Sequence, residues 1–439
     1  MNPIAKQLNE IIENGSPDLI QTLSQLGRQL FFPKGILSQS AEAKEKAHRM
    51  NATIGIATEG GRTMCLDSVV SSIADIPPEE SLTYAPSFGI PALRKAWRDA
   101  LFEKNPSLAG KEISLPVVTN GITHALSMFG DLWLDPGDQL VLPAMMWGNY
   151  NLIFGVRRGV RIAHYTLFSP AGGLDLDAFA KTVLEVSRTD GKVAVVLNFP
   201  HNPSGYSPTV AEADRIVDIL TEAAEGGARV IAATDDAYFG LFYDEETLQE
   251  SIFARLCGRH PRLLAVKLDG ATKENYVWGL RLGFITYGAV CAGDAAAVYE
   301  ALEKKTAGCI RGNISNASHL GQSIVLRSLQ NQQSPKQIRE KYEILHRRAL
   351  KVQEVALEAK YRDAWEVYPF NSGYFMCIRL RSGIDAEALR VHLLDRYGVG
   401  LISIDGANLR IAFSCLEEEQ IPELFDTVLR AVEDLTKAT

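Results

Sequence analysis

Short runs rich in β-branched residues alternate with helix-like stretches from about residue 116 to residue 288. The seven runs are PVVT, QLVLPA, RIAHYT, KVAVVLNFP, ARVIAATDD, LLAVKLDG and GLRLGFITYG. Strands separated by helical connections predict an α/β layer with a mainly parallel sheet. In such sheets ligands bind outside the carboxyl ends of the strands. Polar residues that follow these runs are therefore the first candidates for a functional site.

Two short helices are predicted in the first forty residues. Cap chemistry starts one helix at Asn2 and ends it at Gly15, and Ser16 followed by proline starts the next. One face of the first helix carries Ile4, Leu8, Ile11 and Ile12. A face this short cannot form its own core, so we expect it to pack on another part of the chain or on a second subunit.

The pattern changes after the α/β layer. The polar stretch SLQNQQSPK interrupts it, and Ser334 with Pro335 starts a long amphipathic helix. The remainder of the chain, down to a terminal amphipathic helix, mixes strands and helices. We interpret this change as a domain boundary followed by a smaller α+β unit.

Composition and charge exclude several classes of function. The 439 residues are 46% hydrophobic and 22% charged, as in an ordinary globular protein. A net charge of −8 argues against nucleic acid as a partner. The six cysteines lie far apart without metal-ligand spacing, so we expect reduced thiols and no metal site. The sequence shows no signal-peptide core and no long apolar run, which predicts a cytoplasmic protein without membrane contact.

Unusual polar residues follow three of the predicted strands. Asn202 begins the motif Asn-Pro-x-Gly after the fourth run, and Asp235 begins the motif Asp-x-Ala-Tyr, which ends at Tyr238, after the fifth. Lys273 follows the sixth run, and Arg281 comes eight residues later. This series, in this order, resembles the fold-type I pyridoxal-phosphate (PLP) aminotransferases of the class I/II group, and is most like aspartate aminotransferases. The resemblance spans nearly the whole chain.

The resemblance implies a fold and a domain division. The fold is the PLP-dependent transferase fold type I, an α/β three-layer sandwich around a mainly parallel seven-stranded sheet with a smaller α+β domain. Residues 1–35 are expected to form an N-terminal helical arm and residues 66–329 the large PLP-binding domain. Residues 36–65 plus 330–439 are expected to form the small domain. The resemblance also implies a homodimer with its active sites at the interface.

Four residues are expected to act on the PLP ring. Its aldehyde needs an amine, which Lys273 supplies by forming a Schiff base. The pyridine nitrogen stays protonated only beside a fixed carboxylate, and the family pattern assigns Asp235 rather than its neighbour Asp236 to this role. Asn202 and Tyr238 would hydrogen-bond the phenolic oxygen of the ring. Lys273, Asp235 and Tyr238 are the predicted catalytic residues.

The cofactor phosphate has its own predicted ligands. After the first run, Gly121 opens a strand-to-helix turn in which backbone amides can approach an anion. The resemblance implies that the phosphate binds the amides of Gly121, Ile122 and Thr123 together with the guanidinium of Arg281. It also implies that Tyr84 crosses from the neighbouring subunit to the same phosphate.

Four further residues are expected to contact the substrate or the ring. Arg410, near the C-terminus, matches the arginine that grips the α-carboxylate bidentately. Arg311 lies in a segment that looks like the one whose arginine reaches across the dimer to the distal carboxylate of aspartate. Trp147 matches the aromatic residue that stacks on the cofactor ring. Ala57 is the best match for a glycine that contacts substrate.

The chain departs from the family pattern at two more positions. The family usually has serine three residues before the lysine, where this chain has Gly270, so one phosphate ligand is missing. Aspartate aminotransferases commonly have histidine three residues after the stacking tryptophan, where this chain has Tyr150. The side chain that supports Asp235 is therefore left open.

The sequence predicts a PLP-dependent aminotransferase that moves an amino group from an L-amino acid to a 2-oxo acid, with aspartate or glutamate as the favoured donor. Two alternatives stay open. The protein is then either an aminotransferase for aromatic or other amino acids, or a PLP lyase with the same fold. A PLP-sensing transcription regulator is disfavoured. The roughly fifty residues ahead of the match are too few for a DNA-binding domain and lack a basic recognition helix.

Overall fold

The computed structural model describes residues 1–33, 35–381 and 383–438. Its α-helices are α1 (Pro3–Gly15), α2 (Pro17–Thr22), α3 (Gln25–Gln29), α4 (Ile36–Lys46), α5 (Asp67–Ser72), α6 (Pro91–Lys104), α7 (Ile122–Trp133), α8 (Leu176–Asp190), α9 (Val210–Glu225), α10 (Ile252–Leu256), α11 (Ala271–Glu274), α12 (Ala295–Asn313), α13 (His319–Gln330), α14 (Ser334–Ala356), α15 (Ala386–Tyr397) and α16 (Gln420–Ala438). Its strands are β1 (Met50–Asn51), β2 (Thr58–Glu59), β3 (Arg62–Thr63), β4 (Val117–Thr119), β5 (Gln139–Pro143), β6 (Arg161–Tyr165), β7 (Lys192–Asn198), β8 (Arg229–Asp235), β9 (Leu263–Asp269), β10 (Gly283–Gly288), β11 (Trp365–Val367), β12 (Phe375–Leu380), β13 (Val399–Gly400), β14 (Ile402–Ser403) and β15 (Asn408–Ala412).

A seven-stranded sheet in the order β4-β10-β9-β8-β7-β5-β6 forms the centre of the molecule. Strand β10 runs antiparallel to both neighbours, while the pairs β9-β8, β8-β7, β7-β5 and β5-β6 are parallel. Each of the seven apolar runs in the sequence supplies one of these strands. The predicted mainly parallel α/β sheet is therefore confirmed.

The central strands are buried on both faces. Six of the seven residues in β7 and in β8 are buried, and most are valine or alanine, so apolar side chains point to both sides of the sheet. Helices such as α8 and α9 contact these strands and cover that surface. The strands then end on polar residues, with Asn198 at the end of β7, Asp235 at the end of β8 and Asp269 at the end of β9. Because these strands are parallel, these ends lie along one edge of the sheet.

A second sheet lies in the C-terminal part of the chain. Its four antiparallel strands follow the order β11-β12-β15-β14. Strand β1 pairs in parallel with β13, which joins residues 50–51 to residues 399–400. The long helix α14 begins at Ser334, as the sequence pattern predicts. The C-terminal segment is thus the mixed α+β unit that the sequence indicates.

The first three helices contact one another. The Asn9 side-chain amide donates to the carbonyl of Arg28 at 3.0 Å. Asn2 caps α1, which ends at Gly15 as the cap chemistry predicts. Leu8 and Ile11 on the apolar face of α1 remain 42% and 60% exposed. This face therefore finds little cover within the described part of its own chain.

The described helices include none that is both long enough and apolar enough to cross a membrane. Across the same residues, no group of three or more histidine, cysteine, aspartate or glutamate side chains is arranged to hold a metal ion. All six cysteines are free thiols.

Candidate active site

A cavity of about 320 Å³ opens at the carboxyl edge of the central sheet. Eight residues predicted from the sequence line it, namely Ile122, Thr123, Trp147, Asn202, Asp235, Tyr238, Lys273 and Arg281. The rest of the wall is formed by Gly55, Tyr150, Asn198, Ala237, Thr272 and Trp278. Residues from six separate stretches of chain thus meet at one site.

Lys273 lies on the short helix α11, directly after β9. Its Nζ atom is 4.4 Å from the centre of the Tyr238 ring. Burial disfavours the ammonium form and lowers the pKa of Lys273 to about 8; the Asp235 carboxylate opposes this shift, and Arg281 adds to it. A substantial fraction of the amine is therefore neutral, and able to react or accept a proton, at mildly alkaline pH.

Gly270, at the position where the family has serine, is enclosed by backbone. A Cβ atom at Gly270 would lie 2.6 Å from the carbonyl oxygen of Leu282 and 3.0 Å from the Cα atom of Gly283. These backbone atoms belong to the segment entering β10 and cannot move away as a side-chain end can. The absence of the serine hydroxyl therefore follows from close packing of the turn against β10.

Asp235 ends β8 with its side chain at the cavity, where it is 3% exposed. Its Oδ2 atom accepts a 2.6 Å hydrogen bond from the Tyr150 hydroxyl, while Oδ1 has no partner among the described residues. Burial raises the pKa of Asp235 to about 6, against the lowering effects of Tyr150 and Lys273. The neighbouring Asp236 instead pairs with the buried amine of Lys267. Of the two carboxylates only Asp235 lines the cavity, and its Oδ1 atom is available to a ligand there.

The position at which the resemblance to aspartate aminotransferases implies histidine is occupied by a fully buried phenol. Tyr150 is 1% exposed and directly precedes a π-helical segment over Asn151–Val156. Its ring stacks on Phe154 and meets Trp147 edge to face at 5.5 Å. The support for Asp235 that the sequence left open is thus the hydroxyl of Tyr150.

The turn after β4 has the geometry of an anion site. Gly121 adopts φ +83° and precedes α7, so the first amides of that helix are unpaired within it. A Cβ atom at Gly121 would lie 2.7 Å from Nη2 of Arg281. The guanidinium therefore lies against the turn, in space that a side chain at this position would share. Arg281 is further held by donating from Nη1 to the carbonyl of Trp278 at 3.1 Å.

Arg410 lies on β15 and is 2% exposed. It donates from Nη1 to the side-chain oxygen of Asn202 at 3.1 Å and from Nη2 to the carbonyl of Thr53 at 2.7 Å. Its guanidinium carbon lies 4.2 Å from the centre of the Phe375 ring. The Nε atom is buried and has no partner among the described residues. A buried cation with one unpaired N–H and no carboxylate partner is suited to an anionic ligand.

One predicted residue is replaced by a near neighbour. Ala57 is fully buried in the core, and its carbonyl accepts a hydrogen bond from the amide of Met64 beside the β2–β3 hairpin. Gly55 is the residue of this loop that lines the cavity. A Cβ atom there would lie 3.4 Å from the Tyr238 hydroxyl. Ala57 is therefore not part of the cavity wall of this chain, and Gly55, two residues earlier, occupies that place.

Two predicted residues are exposed on the surface of their own chain and do not line its cavity. Tyr84 is 91% exposed. Arg311 is exposed near the end of α12 and donates to the Ser315 hydroxyl at 2.7 Å. Conversely, Trp278 lines the cavity and its buried indole Nε1 atom has no partner among the described residues. Sequence reasoning missed Trp278, and its place between Lys273 and Arg281 was the available signal.

Comparison with known proteins gives one family for this arrangement. Residues 48–428 match the family model described as aminotransferase class I and II. An aspartate aminotransferase of Bacillus sp. (strain YM-2) is 23% identical over 252 residues, which cover 57% of this chain and 60% of that protein. A probable aspartate/prephenate aminotransferase of Aquifex aeolicus is 24% identical over 418 residues, which cover 92% of this chain and 97% of that protein.

A solved structure supports the same fold. The crystal structure of an aminotransferase from Anaerococcus prevotii matches with a TM-score of 0.82 at 24% identity, covering 94% of this chain and 99% of that one. At this level of identity the likeness concerns the fold. It confirms the predicted three-layer α/β architecture.

Proposed function

This chain belongs to the class I and II aminotransferases, and we propose that it is a PLP-dependent transaminase that moves an amino group from an L-amino acid to a 2-oxo acid. The observation that carries the proposal is the pairing, in one cavity, of a lysine amine with a buried carboxylate that has an unused oxygen. Lys273 and Asp235 are these two groups. Members of this family use PLP, whose ring chemistry needs both of them.

The cavity residues fit this cofactor. Lys273 would bind it covalently, Oδ1 of Asp235 would accept the ring N–H, and the turn at Gly121 with Arg281 would take its phosphate. Asn202, in the same cavity wall, would bind the phenolic oxygen of the ring. When bound, PLP supplies an electron-accepting ring that stabilises negative charge on the substrate α-carbon. Oδ1 of Asp235 is buried and has no hydrogen-bond partner among the described residues, and the ring N–H of PLP would supply one.

We infer that Lys273 moves the substrate proton. Its amine is close to the Tyr238 ring and has a pKa lowered to about 8 by burial. An amine with a pKa near the working pH is an efficient acceptor and donor of protons. Tyr238, whose pKa burial raises, stays protonated and acts as a hydrogen-bond donor. Lys273 is thus the proposed base, with Tyr238 as a neutral donor beside it.

We propose that Arg410 binds the α-carboxylate of every substrate. The unpaired Nε and the two Nη groups form the planar fork that grips a carboxylate. Asn202 and Thr53 accept from the Nη atoms and fix the orientation of this fork. This contact selects amino acids and 2-oxo acids as a class, because both carry that carboxylate.

We propose that the distal selectivity for aspartate or glutamate depends on Arg311 of the second subunit. In a single chain the cavity wall includes the aromatic side chains of Trp147, Tyr238 and Trp278, which supports an aromatic donor as the alternative substrate. Arg311 is exposed and held by a serine hydroxyl only, so it has no carboxylate partner among the described residues. Aromatic donors are therefore the second candidate, favoured by the wall of the chain itself.

The proposed assembly is a homodimer in the cytoplasm. The 91% exposure of Tyr84 and the exposed apolar face of α1 support an interface with a second copy of this chain. The six free cysteines support a reducing compartment. Sedimentation of the holoenzyme at low concentration tests the assembly, and a fully active monomer contradicts it.

Mixed dimers test function and assembly together. A chain with Lys273→Ala and a chain with Arg311→Leu are co-expressed with different tags, and the hybrid dimer is purified. Lys273→Ala dimers should be inactive, and Arg311→Leu dimers should transaminate phenylalanine but not aspartate. The hybrid contains one site with both residues intact, so it should recover aspartate turnover.

If the hybrid recovers none while the wild type uses aspartate, Arg311 does not act across the dimer. If the wild type transfers no amino group from any donor, the proposed function is wrong.

A further inference from the structure

Asp235 is held at two points by residues from different segments. The side-chain amide of Asn198 donates to the Asp235 backbone carbonyl at 2.9 Å, and the Tyr150 hydroxyl donates to Oδ2 at 2.6 Å. The backbone bond fixes the position of the residue at the strand end. The phenol bond fixes the rotation of the carboxyl group, and therefore decides which oxygen remains free.

The phenol that makes this bond has little freedom. Tyr150 is 1% exposed, its ring stacks on Phe154 with centroids 6.1 Å apart, and Trp147 meets it edge on. Its backbone amide donates to the carbonyl of Trp147 at 3.1 Å. A hydroxyl on a ring packed this tightly has few other directions available. The Tyr150–Asp235 bond is therefore built into the cavity wall before any ligand arrives.

A phenol differs from an imidazole as a support for a carboxylate. The Tyr150 hydroxyl donates one hydrogen bond and stays neutral, because burial and the adjacent Asp235 hold its pKa well above the ordinary value. An imidazole can become a cation and then neutralises part of the carboxylate charge. With tyrosine, the support adds no positive charge beside Asp235, so the carboxylate is not neutralised by it when a ligand N–H binds Oδ1.

We propose that Tyr150 is a positioning residue that orients Asp235 so that Oδ1 keeps the cofactor ring nitrogen protonated. This inference rests on the proposed function, since it assigns a role toward PLP. Tyr150 thus gives Asp235 a support that stays neutral, where the histidine common in aspartate aminotransferases can ionise, and it still supplies a hydrogen bond.

The test compares Tyr150→Phe with a matched control. Tyr287→Phe removes another fully buried hydroxyl, which bonds Thr306 at 2.6 Å and lies on β10 outside the cavity wall. For each protein the PLP dissociation constant of the apoprotein is measured, together with the ¹⁵N chemical shift of the ring nitrogen in protein loaded with labelled PLP. Thermal unfolding of the apoprotein reports whether each variant is folded.

Tyr150→Phe should weaken PLP binding about tenfold, the loss typical of a hydrogen bond to a charged group, and should move the ring-nitrogen shift toward the unprotonated value. Tyr287→Phe should leave both readouts at wild-type values and lower only the unfolding temperature. In an Asp235→Asn background, Tyr150→Phe should add little to the loss of PLP affinity, because the carboxylate it orients is gone.

Four results overturn the inference. Tyr150→Phe with wild-type affinity and shift shows that the bond has no effect on the ring. Weakened PLP binding with an unchanged ring-nitrogen shift shows that Tyr150 acts by packing alone. The same conclusion follows if Tyr150→Phe lowers PLP affinity as much in the Asp235→Asn background as in the wild type. Wild-type protein that binds no PLP overturns the proposed function itself, and this inference falls with it. Normal PLP binding by the wild type separates the two cases.

Discussion

Arg410 donates a 3.1 Å hydrogen bond to the side-chain oxygen of Asn202. The two residues come from different sheets, since Arg410 lies on β15 and Asn202 follows β7. In the proposed complex one of them binds the substrate carboxylate and the other binds the ring oxygen. This bond therefore ties the position of the substrate to the position of the cofactor.

Replacing Arg410 by lysine should lower kcat/KM by about ten- to a hundredfold for every amino donor, because a point charge cannot grip a carboxylate through two N–H groups. PLP binding should change little. Steady-state kinetics with aspartate, phenylalanine and alanine measure this. Arg379→Lys is the control, since Arg379 is exposed on the neighbouring strand β12. Equal losses in both variants would show that the effect is structural.

Lys273→Ala should abolish turnover, because no other lysine lines the described cavity. Borohydride reduction of the wild-type holoenzyme followed by peptide mapping should label Lys273 alone. Lys336→Ala is the control, because this 74% exposed lysine pairs only with Glu340 one helical turn away. Label on another lysine in the wild type contradicts the assignment.

The rate of covalent PLP capture by the apoprotein should rise with pH and reach half its maximum near pH 8. Only the neutral amine attacks an aldehyde, and burial lowers the pKa of Lys273 to about 8. Stopped-flow absorbance between pH 6 and pH 10 records this profile, with free lysine as the reference. A midpoint near the ordinary value of 10.5 would mean that the amine is not desolvated.

Asp235→Asn should stabilise the apoprotein while weakening PLP binding. The pKa of Asp235 is about 6 in the folded protein, against an ordinary 3.8, so the folded state holds this proton more tightly than the unfolded chain. The wild-type apoprotein therefore loses stability as the pH rises from about 4 to about 6, and this loss is complete above pH 6. The loss in the free energy of unfolding amounts to about 3 kcal/mol, at 1.36 kcal/mol per pKa unit. Asparagine carries no charge at any of these pH values, so the variant avoids this loss.

Urea unfolding of the apoproteins at pH 8 and pH 5 measures this effect. The advantage of Asp235→Asn should be largest at pH 8 and about half as large at pH 5. The exposed Asp363→Asn serves as the control for loss of one negative charge. An advantage that is equal at both pH values would mean that Asp235 is not desolvated in the folded apoprotein.

Gly270→Ser should fail to add a phosphate ligand. The new Cβ atom would meet the Leu282 carbonyl oxygen at 2.6 Å. Overpacking of this kind costs about 1–3 kcal/mol, so the unfolding temperature should fall and the PLP dissociation constant should not improve. Gly279→Ser is the control, because nothing lies within 4 Å of its Cβ position. Tighter PLP binding by Gly270→Ser would show that the turn can open.

The central sheet and the residues at its carboxyl edge could be predicted from local sequence patterns. The apolar runs are local signals, because a strand buried on both faces must be apolar along its length. Asp235 ends one such run and Lys273 follows another within a few residues, so their place at the edge followed from strand order along the chain. Short motifs of this kind need no knowledge of distant residues.

The side-chain contacts across the cavity could be identified only from the tertiary structure. Tyr150 and Asp235 are 85 positions apart, and Asn202 and Arg410 are 208 apart. Such contacts depend on how separate segments stack, which the periodicity of one segment does not encode. That Gly55 lines the cavity could likewise be seen only from the three-dimensional path of its loop. The structure therefore supplied the hydrogen bonds that orient the site, because each joins groups that local sequence cannot relate.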